Sequence, residues 1–129
     1  MKRLSILISG AIAATFVLGA TEASAAAPSR SCFQMNQLNG TRADGDRRVY
    51  ARVGLHDIWR IDLANRCSSL LSQEGIILAP TGGASLICTP LDLDLRAREI
   101  GGSSTPCIID RISKLSPEEA AALPPKVKP

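Results

Sequence analysis

The chain has 129 residues, a formal charge of +3, and only four aromatic side chains: Phe16, Phe33, Tyr50 and Trp59. That length bounds the reading to one domain. Arginines interleaved with aspartates, and almost no rings for bases to stack on, argue against a nucleic-acid binder.

Lys2 and Arg3 open the chain and are followed by an apolar run from Leu4 to Ala20 that ends at Ala23-Ser24-Ala25-Ala26. A basic start, a short apolar stretch and small residues at the cut form the pattern of a secretory signal peptide, so residues 1–25 are expected to be removed. Ser5, Ser9, Gly10, Thr15 and Gly19 interrupt the run, which fits a cleaved signal better than a membrane span. No second long apolar run follows, so no membrane span is expected once the signal is gone. Arg30 just before Cys32 does not fit a lipid-attachment signal. The expected location is periplasmic or secreted.

Residues 26–31 read as a flexible leader and residues 32–115 as the folded domain. Phe33 and Met35, spaced by two, predict a first strand up to Leu38, with a turn at Asn39-Gly40 and another at Asp44-Gly45-Asp46. From Arg47 to Leu63 two alternating runs flank a break at residues 54–57. This predicts a β-hairpin that buries Val49, Val53, Trp59, Ile61 and Leu63. Residues 75–79 and 85–89, either side of Pro80-Thr81-Gly82-Gly83, predict a second hairpin. Leu91, Leu93 and Leu95 alternate with Asp92, Asp94 and Arg96 as a half-buried strand, residues 101–106 read as a loop, and Cys107 to Leu115 as the last strand. Ser116, Pro117 and Glu119 together predict a helix start: a cap, a proline at the first helical position and a capping box. Pro124-Pro125 should stop this short helix, leaving residues 126–129 as a tail. The fold class is therefore all-β, a small antiparallel barrel or sandwich with a short C-terminal helix at residues 116–129.

A core built almost wholly from aliphatic side chains in so short a chain is modest. Cys32, Cys67, Cys88 and Cys107 offer covalent support, and four cysteines in an exported domain read as two disulfides. A zinc site would bring close cysteine pairs, which this chain lacks, and His56 is its only histidine, so no metal is expected. Three pairings are open. The expected one is Cys32–Cys107 with Cys67–Cys88. Cys67 and Cys88 flank the second predicted hairpin, while Cys32 and Cys107 each begin a strand near an end of the domain.

The order of features resembles a family of small secreted bacterial proteins classed only as a domain of unknown function. The resemblance rests on Arg30-Ser31-Cys32, Val49 to Gly54, Trp59 to Leu63 before Cys67, Ile87-Cys88, Leu93-Asp94-Leu95 and Cys107 to Ile112. It implies an exported, disulfide-bonded β-domain and transfers no activity.

The candidate chemistry is sparse. His56 beside Asp57 falls at a predicted hairpin tip, where a general base would have neither pocket nor orienting partner. Asp92 and Asp94 read as a solvated strand face rather than a calcium loop. Ser68, Ser69, Ser85 and Ser103 have no nucleophile-elbow motif around them. Asn39-Gly40-Thr41 matches a glycosylation sequon, but its Asn-Gly pair reads better as a turn. The best candidate binding patch is Tyr50, Arg52 and Arg60, residue types common as interface anchors, on one face of the first hairpin. The expectation is a non-enzymatic envelope accessory or binding protein without a cofactor, acting on an unidentified envelope partner or ligand. An inhibitor of a cell-wall hydrolase is one alternative and a small periplasmic enzyme another.

Overall fold

Alternating side chains become strands where one face has a core to bury. The computed structural model describes residues 31–129, so the expected signal peptide and most of the leader lie outside the described residues. Within them the strands are β1 (Phe33–Gln34), β2 (Leu38–Asp44), β3 (Arg48–Val53), β4 (Asp57–Leu63), β5 (Ile76–Pro80), β6 (Leu86–Ile87), β7 (Leu93–Arg98), β8 (Ser104–Cys107) and β9 (Ile109–Lys114). They form a four-stranded sheet in the order β2-β3-β4-β9, a three-stranded sheet β5-β7-β8, and a two-stranded ribbon β1-β6. Every pairing is antiparallel. The two larger sheets make a sandwich-like arrangement rather than a closed barrel.

The expected central hairpin is β3–β4. Val49 lies opposite Ile61 and Ala51 opposite Trp59, and all five side chains expected in the core are buried. Gly45 and Gly54 take positive φ, at +69° and +62°, in the turns on either side of β3, a conformation glycine adopts without steric cost. From the three-stranded sheet Leu93, Leu95 and Ala97 complete the core, with Phe33 and Ile87 from the ribbon and Leu70 from the 3-10 turn Ser68–Ser72.

Several expectations are corrected. The turn expected at Asn39-Gly40 is instead the start of β2, which carries a register shift between Leu38 and Gly40. The first strand stops at Gln34, and a 3-10 turn, Met35–Gln37, follows. The second predicted hairpin does not form. Residues 81–83 do turn, but β5 pairs with β7, setting Leu78 opposite Leu95, while β6 pairs with β1. Part of the expected loop at 101–106 is strand β8, bound to β7.

The disulfides follow from this rearrangement. The bridges are Cys32–Cys88 and Cys67–Cys107, with Cα atoms 4.3 and 5.7 Å apart. Neither expected bridge, Cys32–Cys107 or Cys67–Cys88, exists. Because Phe33 pairs with Ile87 in an antiparallel ribbon, the residues just outside that pair, Cys32 and Cys88, are brought together. Cys67 follows β4 and Cys107 ends β8, so the second bridge ties the four-stranded sheet to the three-stranded one.

The C-terminus begins as expected. In α1 (Pro117–Ala121) the Ser116 hydroxyl accepts from the Glu119 N–H at 3.2 Å, and Glu119 accepts from the Ser116 N–H at 2.8 Å. The last residues are not a free tail. A 3-10 turn, Pro125–Val127, lays Val127 into a second small core with Tyr50, Ile58 and Leu115.

Peptide mapping without reduction should recover Cys32 joined to Cys88 and Cys67 joined to Cys107. Replacing Cys67 and Cys107 together by alanine should lower unfolding stability by roughly 4 kcal/mol in the chain-entropy model, measured by urea denaturation.

Candidate functional site

Tyr50, Arg52 and Arg60 do share the outer face of the four-stranded sheet, with Tyr50 directly opposite Arg60. They do not form a free patch. Tyr50 is only 5% exposed beneath Val127. Arg60 is committed to Asp62, with Nε 3.0 Å from Oδ2, and Arg48 holds the other oxygen at 3.1 Å. Hydrogen bonding to Asp62 and then to Tyr50 raises the Arg48 pKa above its already high ordinary value. Partly exposed pairs of this kind contribute little to stability, but they neutralise the face locally. Of the two arginines expected in the patch, Arg52 has no ion-pair partner among the described residues.

A groove of about 390 Å³ lies where β2 and β5 approach each other. Thr41, Arg42 and Ala43 of β2 form one wall, Leu70, Leu71 and Ile76 the other, and Lys126 from the C-terminal turn stands at its rim. Neither Arg42 nor Lys126 has an ion-pair partner among the described residues, and no carboxylate lines the groove. Leu71 is 58% exposed. The sequence reading missed this site because its walls come from segments some thirty residues apart, and Lys126 lay in a supposed tail. A second cleft, of about 460 Å³, is lined by residues that include Phe33, Trp59, Leu86, Asp57 and Lys114. The Phe33 and Trp59 rings meet there at 4.9 Å between centroids. Trp59 Nε1 is buried without a hydrogen-bond partner among the described residues.

Glu99 and Asp92 are the two carboxylates that accept three hydrogen bonds each among the described residues; those of Glu99 all come from hydroxyls. Glu99 accepts from Ser69 at 2.9 Å, from Ser103 at 3.1 Å and from the Thr105 hydroxyl. These three donors, Thr105 foremost, hold its pKa below the ordinary glutamate range. A carboxylate so stabilised in its charged form is a poor proton acceptor near neutral pH. The cluster instead fastens the 3-10 turn at Ser68–Ser72 to the β7–β8 turn. Asp92 is not on a strand face as expected. It closes the 3-10 turn Pro90–Asp92, accepting from the Cys88 and Thr89 N–H groups at 3.0 and 2.8 Å and from the Thr89 hydroxyl. Those bonds lower its pKa, the Cys88 N–H most. Asp94 pairs with Arg96 at 3.0 Å. His56 is exposed in the β3–β4 turn, beside Leu55, which is 82% exposed. The Asn39 amide donates to the Gly54 carbonyl at 2.6 Å, bracing that turn. Among the described residues no group of three His, Cys, Asp or Glu side chains could hold a metal ion. No helix among them is long and apolar enough to cross a membrane.

A model described as a family of unknown function, DUF6491, matches residues 3–128. No curated protein and no solved structure matches the chain.

Deleting residues 124–129 should uncover Tyr50, the only tyrosine. Nitration by tetranitromethane should then be fast where the intact chain is protected, and stability should fall by about 2 kcal/mol through loss of buried Val127. For Glu99 the sign follows from its lowered pKa. The native state binds fewer protons than the unfolded state between the two pKa values, so this contribution is full above the ordinary range of about 4.3 and is lost as pH falls through the native value. Melting temperature measured against pH should therefore drop more steeply on acidification in the parent than in Glu99→Gln.

Proposed function

The chain belongs to the DUF6491 family, and from that premise we propose that it is an exported, non-enzymatic binding module of the cell envelope. The observation that carries this reading is that all four cysteines are paired. Together with a signal-like sequence over residues 1–25, that pairing points to an oxidising compartment outside the cytoplasm. The same bridges stiffen a small domain, and a stiff domain orders little on binding and so loses little affinity to that ordering. Glu99 is locked by three hydroxyls, and Asp92 by two backbone N–H groups and a hydroxyl, rather than poised for proton transfer, which supports recognition over turnover.

One observation favours the narrower reading of an inhibitor of a cell-wall hydrolase. Leu55 stands 82% exposed at the tip of the central hairpin, and the turn behind it is braced by Asn39. A rigid loop with an exposed apolar tip suits insertion into an enzyme cleft; that step is an argument by architecture.

Oxidised residues 26–129, immobilised and exposed to periplasmic extract, should retain one partner that the reduced and alkylated chain does not. If the partner is a hydrolase and the tip inserts, Leu55→Asp should raise the inhibition constant at least tenfold with an unchanged melting temperature. Failure to retain any component, or turnover of a cell-wall substrate by the purified chain, would overturn the binding reading. N-terminal sequencing of the same exported material should begin near Ala26; a retained Met1 would remove the export premise.

A further inference from the structure

We propose that the open edge of β2 receives an extended, acidic peptide segment from a partner protein, added as a further strand on that edge where it borders the groove. The proposal rests on the binding-module reading and names its site and the class of its ligand. Consecutive residues of a strand point to opposite faces. A groove lined by Thr41, Arg42 and Ala43 in succession therefore follows the edge of β2 rather than either of its faces. β2 ends its sheet, and β5 ends the other. Apart from the ladder to β3, no backbone hydrogen bond reaches residues 38–44 from another element among the described residues except the Leu38 bond that closes the Met35–Gln37 turn. Outward N–H and C=O groups of such an edge are a template for another strand. Thr41 and Ala43 are half-buried and carry small side chains that screen little of that template, while Pro129 lies against Gly40.

Charge selects the ligand. Arg48, Arg60, Arg66, Arg96 and Lys114 each hold a carboxylate within 4 Å. Arg42 and Lys126 hold none among the described residues; Arg47, Arg52, Arg98, Arg111 and Lys128 are unpaired too, but only Arg42 and Lys126 line the groove. Lys126 cannot drift away, because its neighbour Val127 is anchored at 4% exposure. Opposite them Leu71, Leu70 and Ile76 offer apolar contact. An added strand that alternates carboxylates with aliphatic side chains would place its acids toward Arg42 and Lys126 and its apolar side chains toward the leucines. A second copy of this chain docking by the same edge would bring two more cations and a single carboxylate, Asp44, which Arg48 already holds at 3.7 Å, so a different protein is the occupant.

The test pans a phage library of random heptapeptides against the intact oxidised domain. Enrichment of sequences with Asp or Glu at alternate positions is expected. A synthetic peptide of that consensus should slow amide hydrogen exchange at residues 39–44. Its affinity should fall at least tenfold in Arg42→Glu/Lys126→Glu and by a smaller factor in Arg42→Ala/Lys126→Ala, with both variants melting as the parent does. A version with proline at the pairing positions should not bind. Enrichment of basic peptides, no enrichment, or equal affinity in the charge variants would overturn the proposal, as would a concentration-dependent dimer protected at β2. Peptides that protect another surface would sink this site while leaving the binding-module reading intact; that reading stands or falls on the periplasmic capture.

Discussion

Val49, Ala51, Trp59 and Ile61 press against the three-stranded sheet, while Tyr50 and Ile58, on the reverse of the same two strands, lie beneath Leu115 and Val127. Covering the β3–β4 hairpin on both sides is the constraint from which the remaining architecture follows. A strand buried on one face needs one partner layer; this hairpin needs two. The second is assembled from residues 115–127, whose helix start is set by the Ser116–Glu119 capping box. The turn that delivers Val127 to Tyr50 also sets Lys126 at the groove, so completing the core and placing a surface cation are one packing event.

With so few aromatic rings, the two layers have limited area to hold them together. The bridges compensate in different ways. Cys32–Cys88 pins a ribbon of only two residues per strand, which would be marginal by itself. Cys67–Cys107 joins the two main sheets directly. Loop closures worth roughly 4 kcal/mol each, taken separately, are large beside a typical net stability of about 5–15 kcal/mol. The Glu99 cluster supports the same region without covalent bonds, binding the turn after Cys67 to the β7–β8 turn that leads to Cys107.

The surface divides according to which charges find partners. On the outer face of the four-stranded sheet, Asp62 serves both Arg48 and Arg60, since cross-strand register puts the three side chains side by side. At the β2 edge there is no further strand to supply an acid, and Arg42 stays unpaired. The groove cations are thus left unpaired where the sheet ends, whereas on the Tyr50 face only Arg52 is unpaired and Tyr50 itself is used for the fold's own packing.

Much of this was legible in the chain itself where the physics is local. Period-two alternation from Arg47 to Leu63 specified the hairpin and its inward side chains. Glycines at 45 and 54 marked its turns, and Ser116-Pro117 with Glu119 marked the helix start. Each depends on residues within a few positions of one another. Which distant strands pair was not legible in that way. Residues 75–89 carry good hairpin signals, yet β5 finds β7 and β6 finds β1, because packing half-buried Leu78 beside Leu95 and burying Ile87 beside Phe33 completes the core. The disulfide pairing follows that choice, so it too belonged to the tertiary structure. So did the fate of Tyr50, covered by a residue 77 positions later, and the groove, whose walls come together only when both sheet edges are in place. Local propensity sets what each segment is able to be; the shared core decides which segments meet.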